Sequence, residues 1–338
     1  MLWGRRGLAR RETSPSSEIK SKNAKPEILD SRRKDHYDML GIVCHDAGGA
    51  ELVSSYLKKN NLDFIHALGG PAQDIFKRKL QIQESVPLDE LLTEVDFLMC
   101  GTSWQSNLEY EAISLANAKM VKSVAFIDHW TNYRERFVRN GKMVLPSEIW
   151  VGDEWAKGKA DAEFPHSIVR RVENPYFEDI RSEFIKLRSH QTRERATIGD
   201  TVLFLGEPIS EHALKSYDDS MYWGYTEYDA LAYLLTNTNY ISDRISEVVI
   251  RPHPAEDPAK YEQQISSCTT LNCRIENSRQ KSLVQMILEH DIVAGCDSMG
   301  LFLATLANKR VVSCIPVGGA PCMLPPSGIE HLQDLIRR

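Results

Sequence analysis

From Tyr37 onward, short and almost wholly apolar runs alternate with longer amphipathic ones, and this alternation restricts the fold more than any other feature of the chain. "MLGIVCH" (39–45) reads as a buried strand and "GGAELVSSYLKKN" (48–60) as a helix, followed by a strand in "DFIHAL" (63–68). Further strands are expected at "DFLMCG" (96–101), "KSVAFID" (122–128) and "SEIWVGD" (147–153). Between them, Leu108, Ala112, Leu115 and Ala116 recur on one helical face. Strands that are apolar throughout need cover on both faces, so the pattern predicts a parallel sheet sandwiched between helices.

A highly charged stretch, residues 177–200, interrupts the pattern and is expected to be a solvated helix and linker. The alternation then restarts: strands at "TVLFLGEP" (201–208), "SEVVIRP" (246–252), "DIVAGC" (291–296) and "RVVSCIP" (310–316), helices at 226–235, 282–290 and 298–309. Thr226 and Asp229 have the spacing of a capping box at the first of these helices. The expected organisation is a flexible basic arm (1–37), an N-terminal domain (38–176), a charged helical linker (177–200) and a C-terminal domain (201–338).

The net charge of −6 argues against a partner bound through general phosphate neutralisation, so no nucleic acid is expected. The first 38 residues carry ten Lys and Arg, six acidic residues and no apolar core of a secretory signal. They are expected to form a disordered arm, with peripheral contact to anionic lipid as its functional reading and plain solvation as the alternative. The seven cysteines lack the spacing of a zinc or disulfide framework, and several sit in apolar runs, which points to a reducing, cytoplasmic setting. No acidic cluster of the DxD type follows a strand, so no metal is expected.

In parallel sheets, ligands bind beyond the carboxyl ends of the strands, and residues just after strands are therefore the candidates. After the first strand, Asp46 precedes Gly48 and Gly49; the glycines admit a close approach, and Asp46 reads either as a general base or as a helix N-cap. "CGTSWQSN" (100–107) offers the hydroxyl of Ser103, for a sugar or for capping the turn. "FIDHWTNYRERF" (126–137) brings Asp128, His129 and Arg134 off one strand together with aromatic residues, a set suited to a cleft. In "VVIRPHPAED" (248–257), two prolines restrict the backbone on either side of His253. Arg251 is expected to pair with a phosphate, and His253 to bond a phosphate oxygen or protonate a leaving group. In "VAGCDSMGLFLATLANK" (293–309), Gly295 ends a strand, and Ser298 with the amides of Met299 and Gly300 opens a helix, a natural anion site that is also an ordinary cap.

The order strand, "RPHP", helix, strand, "GCDSMG", helix, "NKRVVSCIP" resembles the C-terminal domain of GT-B glycosyltransferases, above all those of capsule, lipopolysaccharide and polysialic-acid assembly. The resemblance covers roughly residues 200–320 and rests on Arg251, His253, Pro254 and Ser298, with Gly295 and Gly300 as backbone positions. It implies two Rossmann-like α/β domains facing a cleft, the N-terminal one for the acceptor and the C-terminal one for the nucleotide donor. It further implies a metal-independent glycosyltransferase moving sugar from a nucleotide sugar to a glycan or lipid-linked acceptor, with no cofactor beyond that co-substrate. In that scheme His253 and Asp46 are catalytic, and Arg251, Gly295, Ser298, Met299 and Gly300 hold the donor phosphates. Gly48, Gly49, Ser103, Asp128, His129 and Arg134 face the acceptor or cleft. No separate acidic motif for ribose closes the second domain, and the tail after Pro326 is short. The same architecture also admits a nucleotide-sugar 2-epimerase, a pyruvyl transferase or a non-catalytic nucleotide-sugar binding protein.

Overall fold

A computed structural model of the chain describes residues 39–82, 84–190, 199–276 and 281–338; the expected N-terminal arm and residues 191–198 of the expected linker lie outside the described residues. The alternation read from the sequence becomes two all-parallel sheets of six strands each, which belong to one compact unit. The first contains β1 (Leu40–Cys44), β2 (Phe64–Leu68), β3 (Phe97–Cys100), β4 (Lys122–Ile127), β7 (Glu148–Val151) and β8 (Ile168–Arg171), in the order β2-β1-β3-β4-β7-β8. A two-residue-per-strand hairpin, β5 (Val138–Arg139) and β6 (Lys142–Met143), projects between β4 and β7. The second sheet contains β9 (Asp200–Leu205), β10 (Ile245–Arg251), β11 (Asn272–Ile275), β12 (Ile292–Gly295), β13 (Arg310–Ser313) and β14 (Ile329–His331), ordered β11-β10-β9-β12-β13-β14.

Helices α1 (Ala47–Asn60), α2 (Ala72–Leu80), α3 (Leu88–Glu94), α4 (Leu108–Ala118) and α5 (Glu154–Glu163) belong to the first lobe. Helix α6 (Pro175–His190) leads out of it. The second lobe holds α7 (Ile209–Tyr217), α8 (Glu227–Thr236), α9 (Glu262–Ser266), α10 (Leu283–Glu289), α11 (Met299–Leu306) and α12 (Leu332–Ile336). The capping box read at Thr226 is formed in both directions, Thr226 Oγ1 accepting from the amide of Asp229 and the Asp229 carboxylate from that of Thr226.

In each sheet the chain turns outward in opposite directions from two adjacent central strands, β1 and β3 in the first, β9 and β12 in the second. A crevice opens beyond the carboxyl ends of such a pair. Helix α6 is not the solvated spacer its charge pattern predicts. It buries Phe177, Ile180 and Phe184 and packs against α1, α10 and α11, so it belongs to the core that runs from one lobe into the other. Trp130 after β4, Phe177 of α6 and Phe302 of α11 meet at ring separations of 4.7 Å (Trp130–Phe302) and 4.8 Å (Phe177–Phe302). Among the described residues, no helix is long and apolar enough to cross a membrane.

Candidate functional site

A cavity of about 490 Å³ opens where the carboxyl ends of the two sheets converge. The first lobe supplies Trp104 from the loop after β3 and His129, Thr131 and Asn132 from the loop after β4. The second lobe supplies Glu207 after β9, His253 after β10, Asp297 and Ser298 after β12, and the aromatic side chains of Tyr217, Trp223 and Tyr225. Its volume is that of a small-ligand site, and its walls are aromatic with a few convergent polar groups. None of the described residues lining it is a lysine or an arginine.

His253 and Ser298, 45 positions apart in sequence, both line this cavity. The loop bearing His253 is fixed from below: its amide donates to Glu256 Oε2 at 2.7 Å. Glu256 is buried and also accepts from the Tyr261 hydroxyl and from Lys260 Nζ at 2.6 Å. Lys260 in turn donates to Glu227 Oε1 at 2.7 Å, and Glu227 accepts from the amide and hydroxyl of Ser210 at the start of α7. On the imidazole, Nδ1 accepts the amide of Ala255 at 3.2 Å, which leaves the ring proton on Nε2. Burial holds the ring below its ordinary pKa, so at neutral pH His253 is an uncharged N–H donor. His129 is neutral for the same reason: burial lowers it to about 4, and its Nδ1 lies 3.0 Å from Thr131 Oγ1.

Ser298 stands at the N-cap position of α11 with no side-chain cap bond. Its hydroxyl oxygen is buried and has no hydrogen-bond partner among the described residues. The amides ahead of it are engaged by a residue that sequence reasoning passed over. Glu207 Oε1 accepts from the amides of Cys296 at 3.1 Å and Asp297 at 3.0 Å, at the crevice between β9 and β12. Burial, opposed by those amides and assisted by the neighbouring Asp297 carboxylate, raises Glu207 to about 7. A carboxyl group poised there exchanges a proton near neutral pH, a property concentrated at functional sites. The signal in the sequence was "LGEP", an acidic residue directly after a central strand. Asp297, also raised by burial, is spent on the loop after β13, accepting from the amides of Met323 at 2.8 Å and Leu324 at 3.2 Å.

Several expected site residues lie elsewhere. Arg251 does not line the cavity: it is buried on the opposite side of its strand, donating to the Lys281 carbonyl at 2.9 Å and to Met286 Sδ. Alternation along β10 explains this, because Arg251 shares the face of Val249, which packs in the same core as Met286. Arg134 is exposed and lies 3.5 Å from Glu163. Its neighbour Arg136 is the buried one, donating to Asp128 Oδ1 at 2.8 Å and Thr102 Oγ1 at 2.6 Å. Asp128 thus sits in a buried polar network next to His129, off the cavity wall. Ser103 caps its own turn, its hydroxyl accepting from the amides of Gln105 and Ser106.

Gly48 and Gly49 act through space they leave empty. A side chain at Gly48 would overlap the Asp128 carboxylate, and one at Gly49 would press on Gly101 and Thr102, so both let α1 seat against the ends of β3 and β4. Gly295 and Gly300 do the same against Leu205 of β9. Met299 packs into the core behind α11. Asp46 is the N-cap residue of α1 but makes no side-chain cap bond. Its Oδ1 lies 2.8 Å from His45 Nδ1, outside the cavity lining. The amide of His45 donates to Glu109, a carboxyl group that burial raises to about 7. Among the described residues, no group of three or more His, Cys, Asp or Glu side chains is arranged to hold a metal ion.

No protein-family profile and no curated protein matches the chain in sequence. Solved structures do match it in fold. The UDP-GlcNAc 2-epimerase of Neisseria meningitidis, bound to UDP-GlcNAc, superposes with a TM-score of 0.58 at 14% identity, covering 88% of this chain and 90% of that one. The UDP-GlcNAc 2-epimerase of Methanocaldococcus jannaschii gives 0.56 at 11% identity, covering 88% of this chain and 91% of that one. At such identities the likeness establishes the architecture, two Rossmann-like lobes of the GT-B type.

Proposed function

We propose that the chain is a nucleotide-sugar enzyme that works on the bond between the sugar's anomeric carbon and the diphosphate. The observation that carries this reading is one cavity, at the carboxyl ends of both parallel sheets, into which His253, Glu207 and Ser298 converge from three separate loops. The nucleotide-sugar substrates of the epimerases that share the fold support it.

In this reading the donor diphosphate lies on the second lobe. The Nε2–H of His253 and the hydroxyl of Ser298 bond its oxygens, and they hold the charge that develops as the anomeric carbon–oxygen bond breaks. Among the described residues no cationic side chain lines the wall, so neutral donors fixed by the fold carry that role, and a protonated Glu207 avoids repelling the phosphate. His129, Thr131 and Asn132 face the sugar from the first lobe. The base role expected of Asp46 finds no support in its position.

Two reactions fit this site. Rearrangement of the sugar itself, without an acceptor, is favoured by the epimerases that share the fold. Transfer to an acceptor hydroxyl is favoured by the aromatic mouth of the cavity. A thermal-shift screen with CMP-, UDP-, GDP- and CDP-linked sugars, followed by product analysis of each stabilising compound alone, tests the proposal. At least one compound raises the melting temperature; stabilisation by none of them overturns the reading. An epimer formed without an acceptor identifies the first reaction; an unchanged donor excludes it, and sugar transferred to an added acceptor identifies the second.

A further inference from the structure

The wall of the cavity continues outward as a stack of aromatic rings. α7 ends at Tyr217, and the chain turns so that Tyr222 lies flat on it, ring centroids 3.6 Å apart and planes within 3°. Trp223 meets both rings edge-on at 5.8 Å. The turn is built to hold this arrangement. Asp218 takes a left-handed conformation, and Asp219 accepts the amide of Met221 at 2.8 Å on its carboxylate and that of Tyr222 at 3.2 Å on its carbonyl. Gly224 has φ +78° and leaves room for the Gly318 carbonyl, while the amide of Ala320 donates to the Trp223 carbonyl at 2.8 Å.

Tyr217 and Trp223 line the cavity, whereas Tyr222 stands beyond it. Tyr217 is 42% and Tyr222 52% exposed, so pre-ordered ring surface faces solvent at the mouth of the site. Rings held in this way present apolar faces with polar edges, which match the C–H face of a pyranose while its hydroxyls remain in water. The charge around them selects among sugars. Asp218 and Asp219 belong to the turn, and Glu135 approaches from the first lobe: after burial and Tyr222, its carboxylate is what pushes the Tyr217 phenol upward. These carboxylates repel an acidic sugar or an anionic lipid surface and leave an uncharged ring as the matching occupant.

We propose that Tyr217, Tyr222 and Trp223, on the second lobe and not on the N-terminal domain to which the resemblance assigns the acceptor, form an acceptor subsite that stacks an uncharged pyranose ring of a glycan at the cavity mouth. The inference rests on the nucleotide-sugar reading and sharpens it. Tyr222 lies outside the cavity that the proposed function assigns to the nucleotide sugar, so a ring stacked there belongs to a second substrate, and the enzyme is then a transferase.

The test uses the full chain and two variants, Tyr222→Ala and Tyr222→Phe, chosen because Tyr222 does not line the cavity. The probes are an array of defined neutral and sialylated oligosaccharides, with calorimetry on the strongest binder, and UDP-, CMP-, GDP- and CDP-linked sugars. The expected result is binding of a neutral oligosaccharide that Tyr222→Ala weakens about tenfold and Tyr222→Phe retains, with nucleotide-sugar affinity unchanged in both. No oligosaccharide bound by the wild type, equal binding by Tyr222→Ala, or preference for sialylated glycans overturns the subsite. A parallel loss of nucleotide-sugar affinity in Tyr222→Ala also overturns it, by assigning the rings to the nucleotide. Failure of every nucleotide sugar to bind the wild type sinks the underlying reading instead, and the oligosaccharide result distinguishes the two failures.

Discussion

Trp130 and Phe302 pack ring against ring at 4.7 Å, one on the loop after β4 and the other on α11, so the two lobes touch directly behind the cavity. Each is adjacent in sequence to a residue lining the cavity: Trp130 follows His129, and α11 begins right after Ser298. The indole is also anchored by its Nε1–H to Asp153 at 2.8 Å. The spacing between the cavity's walls therefore depends on an apolar contact, and weakening that contact perturbs stability and ligand binding together. Phe302→Ala removes the ring and is expected to cost about 3 kcal/mol, the low end for such truncations because the ring is only partly buried. Phe302→Leu conserves most of the volume and is expected to cost less than about 1.5 kcal/mol. Chemical denaturation measures both; a negligible cost in both variants would show that the ring makes no contact that matters.

Lys260 is the centre of a buried network that fixes the His253 loop. It donates to Glu256 at 2.6 Å, Glu227 at 2.7 Å and Glu211 at 3.0 Å. Lys260→Met leaves Glu256 and Glu227 buried without their cation, and stranded charge of this kind costs about 3–5 kcal/mol. The double variant Lys260→Met with Glu256→Gln is expected to regain part of that loss, because one of the stranded charges is gone. A double-mutant cycle by urea denaturation decides the point, and additive losses would contradict the network.

Much of this architecture was legible in the sequence because the central strands are buried on both faces. β1, β3, β4, β9, β10, β12 and β13 all announce themselves as apolar runs. The strands the sequence did not reveal are the hairpin strands β5 and β6 and the sheet edges β8, β11 and β14, which are short and carry arginine, lysine, asparagine, glutamate or histidine. The buried stripe of α6, Phe177, Ile180 and Phe184, was hidden by the charges between its members. At the site, His253, Ser298 and His129 could be picked out because each follows a central strand. Arg251 was misassigned although its parity with Val249 was readable. Glu207 acquires its meaning only from amides some 90 positions away, brought beside it by the pairing of β12 with β9, and no local pattern encodes that distance.

Burial raises both Glu109 and Glu207 to about 7, from the 4.5 of an ordinary glutamate. The folded chain therefore binds more protons than the unfolded one between about pH 4.5 and 7. Stability contributed by these groups is complete below 4.5 and declines as pH rises through 7. His129 acts in the opposite sense: lowered from 6.5 to about 4, it contributes stability above 6.5 that is lost as pH falls toward 4. Glu109→Gln removes one of the two carboxyl terms. Its unfolding free energy is expected to fall less steeply than the wild type's between pH 5 and 7.5, by up to about 1.4 kcal/mol per pH unit. Identical slopes in denaturation series across that range would contradict the buried, protonated Glu109.

His253→Ala removes the imidazole that the loop after β10 brings to the cavity lining, a ring whose tautomer the Ala255 amide fixes. The loop itself is held through the backbone amide of residue 253, a bond to Glu256 that alanine keeps, so the melting temperature is expected to change little. If the proposed function holds, loss of nucleotide-sugar turnover by a factor of about 100 is expected, the scale of one pre-organised donor to developing charge. Glu207→Gln separates the neighbouring effect. On the proposed function, deprotonation of Glu207 above about pH 7 would place a carboxylate beside the donor phosphates, so nucleotide affinity is expected to fall as pH rises. The glutamine cannot ionise, and its affinity is expected to stay level from pH 6 to 8.5 while that of the wild type declines. Calorimetric titration of the stabilising nucleotide across this range, on both proteins, reads the difference; parallel pH profiles would remove Glu207 from the phosphate site.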